Sequence, residues 1–204
     1  LNKTVWVIRH GETELNASGI VQGQGMDAPL NIKGFEQAES FWKVYSEEPF
    51  DLVLYSNLIR SQQSVQRFLT SGVQGVELAD LREISWGVNE GKQPTPDVLQ
   101  RYHAVIDAWQ SGDFAAAVEG GESAIQLAKR AQTCITYFNE INRKNILVCT
   151  HGRTIRVLAC LMLNRPLTAM EDFHHANLGL YRFDMDGDGW QCTLYNDIRH
   201  LQGL

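Results

Sequence analysis

The stretch Thr4-Val5-Trp6-Val7-Ile8-Arg9-His10-Gly11-Glu12-Thr13 decides how the rest of the chain is read. Val5 to Ile8 is a short, unbroken apolar run, the pattern of a strand buried on both faces of a parallel sheet. It ends abruptly on a cation, an imidazole and a glycine. Leu52 to Tyr55 and Ile146 to Thr150 are runs of the same kind. Apolar residues at helical spacing follow each one: Phe35, Ala38, Phe41, Trp42 and Tyr45; then Leu58, Val65, Phe68 and Leu69; then Ile155, Leu158, Ala159 and Met162. Strand followed by helix, repeated, predicts an α/β fold: a three-layer α/β/α sandwich with a mainly parallel sheet and right-handed crossovers.

Two regions depart from this alternation. Val88 to Gly121 carries Pro94, Pro96, an amphipathic helix from Pro96 to Trp109 and a glycine-containing exit, which predicts a helical lid or side wall. Leu180 to Phe183 and Trp190 to Leu194 flank Asp186-Gly187-Asp188-Gly189 and predict an antiparallel edge hairpin. Asp184, Asp186 and Asp188 imitate the start of a calcium loop, but the twelfth position is Tyr195 rather than a bidentate Glu. Ser123 forms a capping box with Gln126 ahead of the stripe Leu127, Ala131, Cys134, Phe138 and Ile141. Asn164 and Pro166 stop the helix that follows Thr150. Trp42, Phe35 and Tyr45 read as core.

A chain of 204 residues with 44% hydrophobic and 21% charged residues has the composition of one compact domain spanning residues 1–204, with 88–121 as an insertion. No apolar run approaches the roughly 18 residues of a membrane span. The net charge of -6 repels nucleic acid and anionic lipid, so an anionic ligand requires a local basic pocket. Cys134, Cys149, Cys160 and Cys192 are scattered without a CxxC pair. With no export signal in view, they predict reduced thiols and a cytoplasmic setting.

Ligands of open parallel sheets sit beyond the carboxyl ends of the strands. Those ends carry Arg9, His10, Gly11, Glu12 and Thr13, with Asn16 beyond; Ser56 and Arg60; and Thr150, His151 and Gly152. Two imidazoles and two guanidiniums brought to one edge make a phosphate site, because the guanidinium fork binds phosphate oxygens in pairs. A neutral imidazole there can also attack phosphorus, provided its other nitrogen is held as a donor. The leaving oxygen needs an acid. Glu83 is the candidate, since it follows a strand expected near Val76 to Leu78 and precedes the lid. A carboxyl buried beneath a lid is suited to donate a proton and later to take one from water. Trp86, Tyr102 and Trp109 would line the leaving-group side.

Arg9-His10-Gly11-Glu12-Thr13 with Asn16 resembles the signature of the histidine phosphatase superfamily, which includes the cofactor-dependent phosphoglycerate mutases. Gln22-Gly23, Asp27, Pro29, Leu30, Gly34, Gln37 and Ala38 resemble the family's first loop and helix. Ser56, Leu58 and Arg60 resemble its second phosphate-binding segment, and Leu81, Glu83, Gly87, Glu90 and Gly91 its acid-bearing segment. Gly121-Glu122-Ser123 and Thr150-His151-Gly152 complete the order over nearly the whole chain. The resemblance implies His10 as nucleophile, Glu83 as proton donor, and Arg9, Arg60 and His151 as the clamp on the phosphoryl group. Thr13, Asn16, Gln22 and Gly152 would shape the pocket around a small phosphorylated metabolite. It further implies that no metal or nucleotide cofactor is needed, in keeping with the absence of HExxH and P-loop spacings.

The sequence departs from the family pattern in three places. The loop from Gly23 to Asp27 is one residue longer, Ser61 and Ser64 stand where Ala and Thr are common, and Arg153 follows the second His-Gly pair. Arg153 either reaches the site or faces solvent. His103, His174, His175 and His200 carry no matching motif and read as ordinary packed or surface residues, with His174 and His175 placed to line the cleft. The chain lacks the extra length of the glycolytic mutases, which favours a phosphomonoester phosphatase by analogy. A phosphomutase, a phosphate-binding module without turnover and a metal hydrolase are the rival readings.

Overall fold

The computed structural model describes residues 3–204, so residues 1 and 2 of the expected domain lie outside it. In chain order the elements are β1 (Lys3–Arg9), α1 (Glu14–Ala17), α2 (Ile32–Tyr45), β2 (Leu52–Tyr55), α3 (Ile59–Thr70) and β3 (Gly75–Glu77). They continue with α4 (Pro96–Gln110), α5 (Ala124–Glu140), β4 (Asn145–Thr150), α6 (Gly152–Met162), β5 (Leu180–Asp186) and β6 (Gly189–Asp197). The sheet has six strands in the order β3-β2-β4-β1-β5-β6. β3, β2, β4 and β1 run parallel, while β5 pairs antiparallel with both β1 and β6, which builds the expected edge hairpin.

The unbroken apolar runs are explained by burial on both faces. Val5, Val7, Leu52, Leu54, Ile146 and Val148 pack into a core with α4, α5 and α6. Trp6, Ile8, Val53, Leu147 and Cys149 point the other way, into a core with α2 and α3. The period of two along each strand thus sorts one apolar run into two cores, giving three layers.

Two expectations change in detail. Phe35 is 49% exposed instead of core. Helix α2 meets the loop after β1 through Gly34, where an added Cβ would lie 2.1 Å from the Glu12 carbonyl oxygen. That close approach puts Gly34, Gln37, Ala38 and Phe41 inward and turns Phe35 away. The excursion after Val88 packs as a wall: Val105, Ile106 and Trp109 of α4 are buried in the core, and Trp109 Nε1 donates to the Ala116 carbonyl at 2.9 Å. Pro96 occupies the first turn of α4, and Ser123 and Gln126 form the capping box of α5. Asn164 ends the run after α6 with φ 55, and Asp186 to Gly189 forms the turn between β5 and β6.

Candidate active site

β1 and β4 are parallel neighbours with Arg9 opposite Thr150, so the next residue of each strand projects from the same edge. Those residues are His10 and His151, with ring centroids 5.0 Å apart. The His10 backbone N–H continues the ladder by donating to the Thr150 carbonyl at 3.0 Å. β2 lies on the other side of β4 and delivers Ser56, whose Oγ is 2.7 Å from His151 Nε2. Arg60, in the first turn of α3, is fully buried.

The hydrogen bonds set the protonation pattern. His10 Nδ1 lies 2.7 Å from the Gly11 carbonyl oxygen, so Nδ1 carries the proton and Nε2 presents its lone pair. Burial, then the charges of Arg60 and Arg9, hold the His10 ring well below the usual imidazole range, and hence neutral. His151 is depressed for the same reasons. Ser56 Oγ also accepts from the Leu58 N–H at 3.3 Å, and when its own proton goes to His151 Nε2 the imidazole proton sits on Nδ1. His151 Nδ1, Arg9 Nε and Arg60 Nε are all buried without a partner. Such donors are costly unless something accepts from them, and a tetrahedral oxyanion would.

The two arginines are held in place by carbonyls. Arg9 Nη1 donates to the His175 carbonyl at 3.0 Å. Arg60 donates to the carbonyls of Met26 (2.6 Å) and Gly23 (3.3 Å), which anchors the longer loop onto the clamp. Burial lowers both guanidiniums, Arg60 to about 10, and the nearby Glu83 partly offsets this. At about 10, Arg60 stays cationic at neutral pH. Ser61 and Ser64 act as ties. Ser61 Oγ donates to the Cys149 carbonyl at 2.8 Å, and Ser64 Oγ accepts from the Gly11 N–H at 2.9 Å.

Glu83 is 8% exposed and belongs to an irregular segment after β3. Its Oε1 accepts from the backbone N–H of Ile84 (2.9 Å) and Thr154 (3.3 Å), and its Oε2 from that of Arg153 (3.2 Å). Glu83 therefore caps helix α6 from a distant part of the chain, a task that the N-cap residue His151 does not perform. Arg130 of α5 fixes the same segment. Its guanidinium donates to the carbonyls of Asp80 (2.7 Å), Arg82 (2.7 Å) and Glu83 (3.1 Å), and pairs with Glu122 at 2.8 Å.

The remaining expected residues stand behind the histidines. Thr13 is buried and forms a capping box with Asn16 at the start of α1, and its Oγ1 donates to Gln22 Oε1 at 3.1 Å. Gly152 begins α6, and the ring of His175 packs on it so closely that a Cβ would fall 2.7 Å from Cε1. Arg153 does not face solvent: it is 4% exposed and turned under α4.

Sequence reasoning missed Asn177 and Arg130, and read His175 as an ordinary residue placed to line the cleft. Burial and the charges of Arg9, Arg156 and Arg153 lower His175 to about 3. Asn177 Nδ2 donates to the His10 carbonyl at 2.9 Å and to Asn16 Oδ1 at 3.3 Å, just before Leu178, which is buried at φ 56. No periodicity marks this loop, so only the doublet His174-His175 drew attention to it. A groove of about 580 Å³ between α2 and α3, lined by Phe35, Glu39, Lys43, Gln63 and Arg67, lies away from both histidines. No unpartnered buried donor is found among its lining residues, so the chemistry points to the strand ends. Among the described residues, no group of three His, Cys, Asp or Glu side chains is placed to hold a metal ion.

The family model described as Histidine phosphatase superfamily (branch 1) matches residues 5–198. The chain belongs to this superfamily. Within it, the adenosylcobalamin/alpha-ribazole phosphatase of Escherichia coli is 29% identical over 174 residues, 83% of each chain. A Yersinia enterocolitica protein named "Probable phosphoglycerate mutase GpmB" is 29% identical over 208 residues, 97% of this chain and 94% of that one. The alpha-ribazole phosphatase of Shigella flexneri superposes with a TM-score of 0.83 at 26% identity, covering 95% and 96% of the two chains. Histidine phosphatase relatives with phosphatase and mutase names therefore share this architecture along nearly its full length.

Proposed function

We propose that the protein is a phosphomonoester phosphatase that works through a phosphohistidine at His10 Nε2. One observation carries the reading: Nδ1 of His10 is committed to a carbonyl, while the buried Arg9 Nε, Arg60 Nε and His151 Nδ1 have no partner. In the first step the Nε2 lone pair forms the P–N bond as the ester P–O bond breaks. Protonated Glu83 gives its proton to the leaving oxygen. The carboxylate that results is received by the N–H groups of Arg153 and Thr154, at the positive end of α6. In the second step Glu83 takes a proton from water, the water oxygen bonds to phosphorus, and the P–N bond breaks to free inorganic phosphate. Arg9, Arg60 and His151 hold the equatorial oxygens throughout. Thr13, Asn16, Gln22 and Gly152 shape the pocket around a small phosphorylated metabolite. We read the chain as one phosphoglycerate mutase-like domain, with residues 88–121 as the wall of its leaving-group side.

A panel of phosphomonoesters, run on wild type and His10→Ala, tests this. Wild type should release inorganic phosphate and carry an acid-labile phosphoryl label at His10. The variant should lose about 10⁴-fold or more in kcat and all label. Turnover within tenfold of wild type in His10→Ala would overturn the mechanism, and transfer of the label to an organic acceptor instead of water would establish the mutase reading.

A further inference from the structure

The side chain of Arg153 takes no part in the mechanism above, yet it is one of the most heavily engaged in the molecule. Its backbone N–H donates to Glu83 Oε2 at 3.2 Å. Its side chain leaves the site and enters the wall formed by residues 88–121. There Nη2 donates to the Tyr102 hydroxyl at 2.9 Å, and the guanidinium carbon lies 5.8 Å from the ring centre of Trp86 and 5.4 Å from that of Trp109. Nη1 pairs with Glu171, which also receives Arg156 at 2.7 Å. Trp86 and Tyr102 pack ring to ring at 4.9 Å, so the guanidinium closes an aromatic box whose walls come from α4 and the acid-bearing segment. A planar cation that bonds at its edge and stacks on its face fits this box; an ammonium does not.

We infer that Arg153 is a positioning residue that locks the wall helix α4 to the general acid Glu83, joining them through the first turn of α6. This rests on Glu83 being the acid of the proposed reaction. The main chain of Arg153 fixes one carboxylate oxygen, and its side chain fixes where that main chain sits. The wall that borders the leaving group and the group that protonates it thus share one anchor. The phosphate clamp is separate: Arg9, Arg60, His10 and His151 form their side-chain hydrogen bonds with Gly11, Gly23, Met26, Ser56 and His175 rather than with the Arg153 side chain.

The test compares Arg153→Met, Arg153→Lys and Tyr102→Phe with wild type, and with Glu83→Gln run in parallel. Each is assayed on p-nitrophenyl phosphate, whose leaving group needs no proton, and on an alkyl phosphate, whose leaving group does. Inhibition by inorganic phosphate reports the clamp. In Arg153→Met, kcat/KM on the alkyl ester should fall about tenfold to a hundredfold, following the scale of general-acid catalysis. The aryl kcat/KM should lose less than about threefold, because that leaving group needs no proton and the later attack of water, where Glu83 serves as base, does not enter kcat/KM; the phosphate inhibition constant should stay within about twofold. Arg153→Lys should fall short of rescue, and Tyr102→Phe should show the same selectivity more weakly. Equal losses on both esters, or an unchanged alkyl rate, in Arg153→Met would overturn the inference; so would a clearly weakened phosphate inhibition, which would move Arg153 into the clamp. If Arg153→Met fails to fold, the ester selectivity of Tyr102→Phe decides. Steep selectivity in Glu83→Gln with none in the Arg153 variants refutes the anchor alone, whereas none in Glu83→Gln refutes the acid and with it the anchor.

Discussion

His10 and His151 stand on the ends of two paired parallel strands, whereas Glu83 stands on an irregular segment that no ladder supports. On the histidine side the backbone register does the positioning. Arg9 lies opposite Thr150, and the ladder runs one bond further, into His10 itself. On the carboxylate side the same precision comes from side chains and a helix end: Arg130 grips three carbonyls, Thr154 Oγ1 donates to the Arg82 carbonyl at 2.8 Å, and α6 offers its free N–H groups. A cooperative ladder tolerates the loss of one side chain, because its hydrogen bonds are main-chain. A segment held largely by side chains and a helix end is more exposed to the loss of one of them. The difference also suits the proposed roles, in which the nucleophile has one fixed line of attack while the acid must serve first a leaving group and then water.

The sharpest way to break this contrast is Arg60→Ala. Arg60 lies on the histidine side, and its loss removes a clamp charge while the strands stay paired. A fall of about 10³-fold in kcat/KM is expected, on the scale of a lost oxyanion donor. Steady-state kinetics within tenfold of wild type would take Arg60 out of the clamp. Next comes Arg130→Met, which leaves Glu122, whose side chain is 11% exposed, without its cation and frees the acid-bearing segment. A cost of about 3–5 kcal/mol is expected from denaturant unfolding, most of it recovered when Glu122→Leu is added. A cost below about 1 kcal/mol would show that the segment holds itself.

The smallest effect expected of a single substitution concerns acid stability. His10 and His151 are depressed well below the usual imidazole range, and His175 to about 3. Above the unfolded value of about 6.5 all three are neutral in both states, and folding is unaffected. As pH falls below about 6.5 the unfolded imidazoles bind protons that the folded ones refuse, so stability drops by up to about 1.4 kcal/mol per pH unit for each ring. For His175 that loss continues down to about pH 3. His175→Gln should flatten the slope by somewhat less than about a third, because it removes one of these three rings while His200, also lowered by burial, adds its own share. Equal urea midpoints at pH 7 and pH 5 in the wild type would contradict the neutral burial of these rings.

The histidine side was legible in the sequence because period and order carry it: apolar runs, each ended by a polar residue, followed by helical stripes. Arg9, His10, Ser56, Arg60 and His151 were all picked out as strand-end residues, and each stands at a strand end or in the first turn beyond it. Glu83 was visible only through its place after a short strand and through family resemblance. What holds it was not visible, since Arg130 belongs to an amphipathic helix where an arginine reads as a surface cation. Phe35 failed for a related reason. Helical spacing identifies an apolar stripe, but the contact of Gly34 with the Glu12 main chain fixed which way the stripe turned.

By itself, then, the sequence determined the layers of this protein and the edge where its charges meet, because hydrophobic period and strand order are local properties of the chain. Tertiary structure alone decided the partners of those charges: Asn177 beneath His10, the α6 N–H groups around Glu83, and Arg153 inside the aromatic box. A buried donor takes whatever acceptor the packing brings within about 3 Å, and no spacing along the chain records that distance.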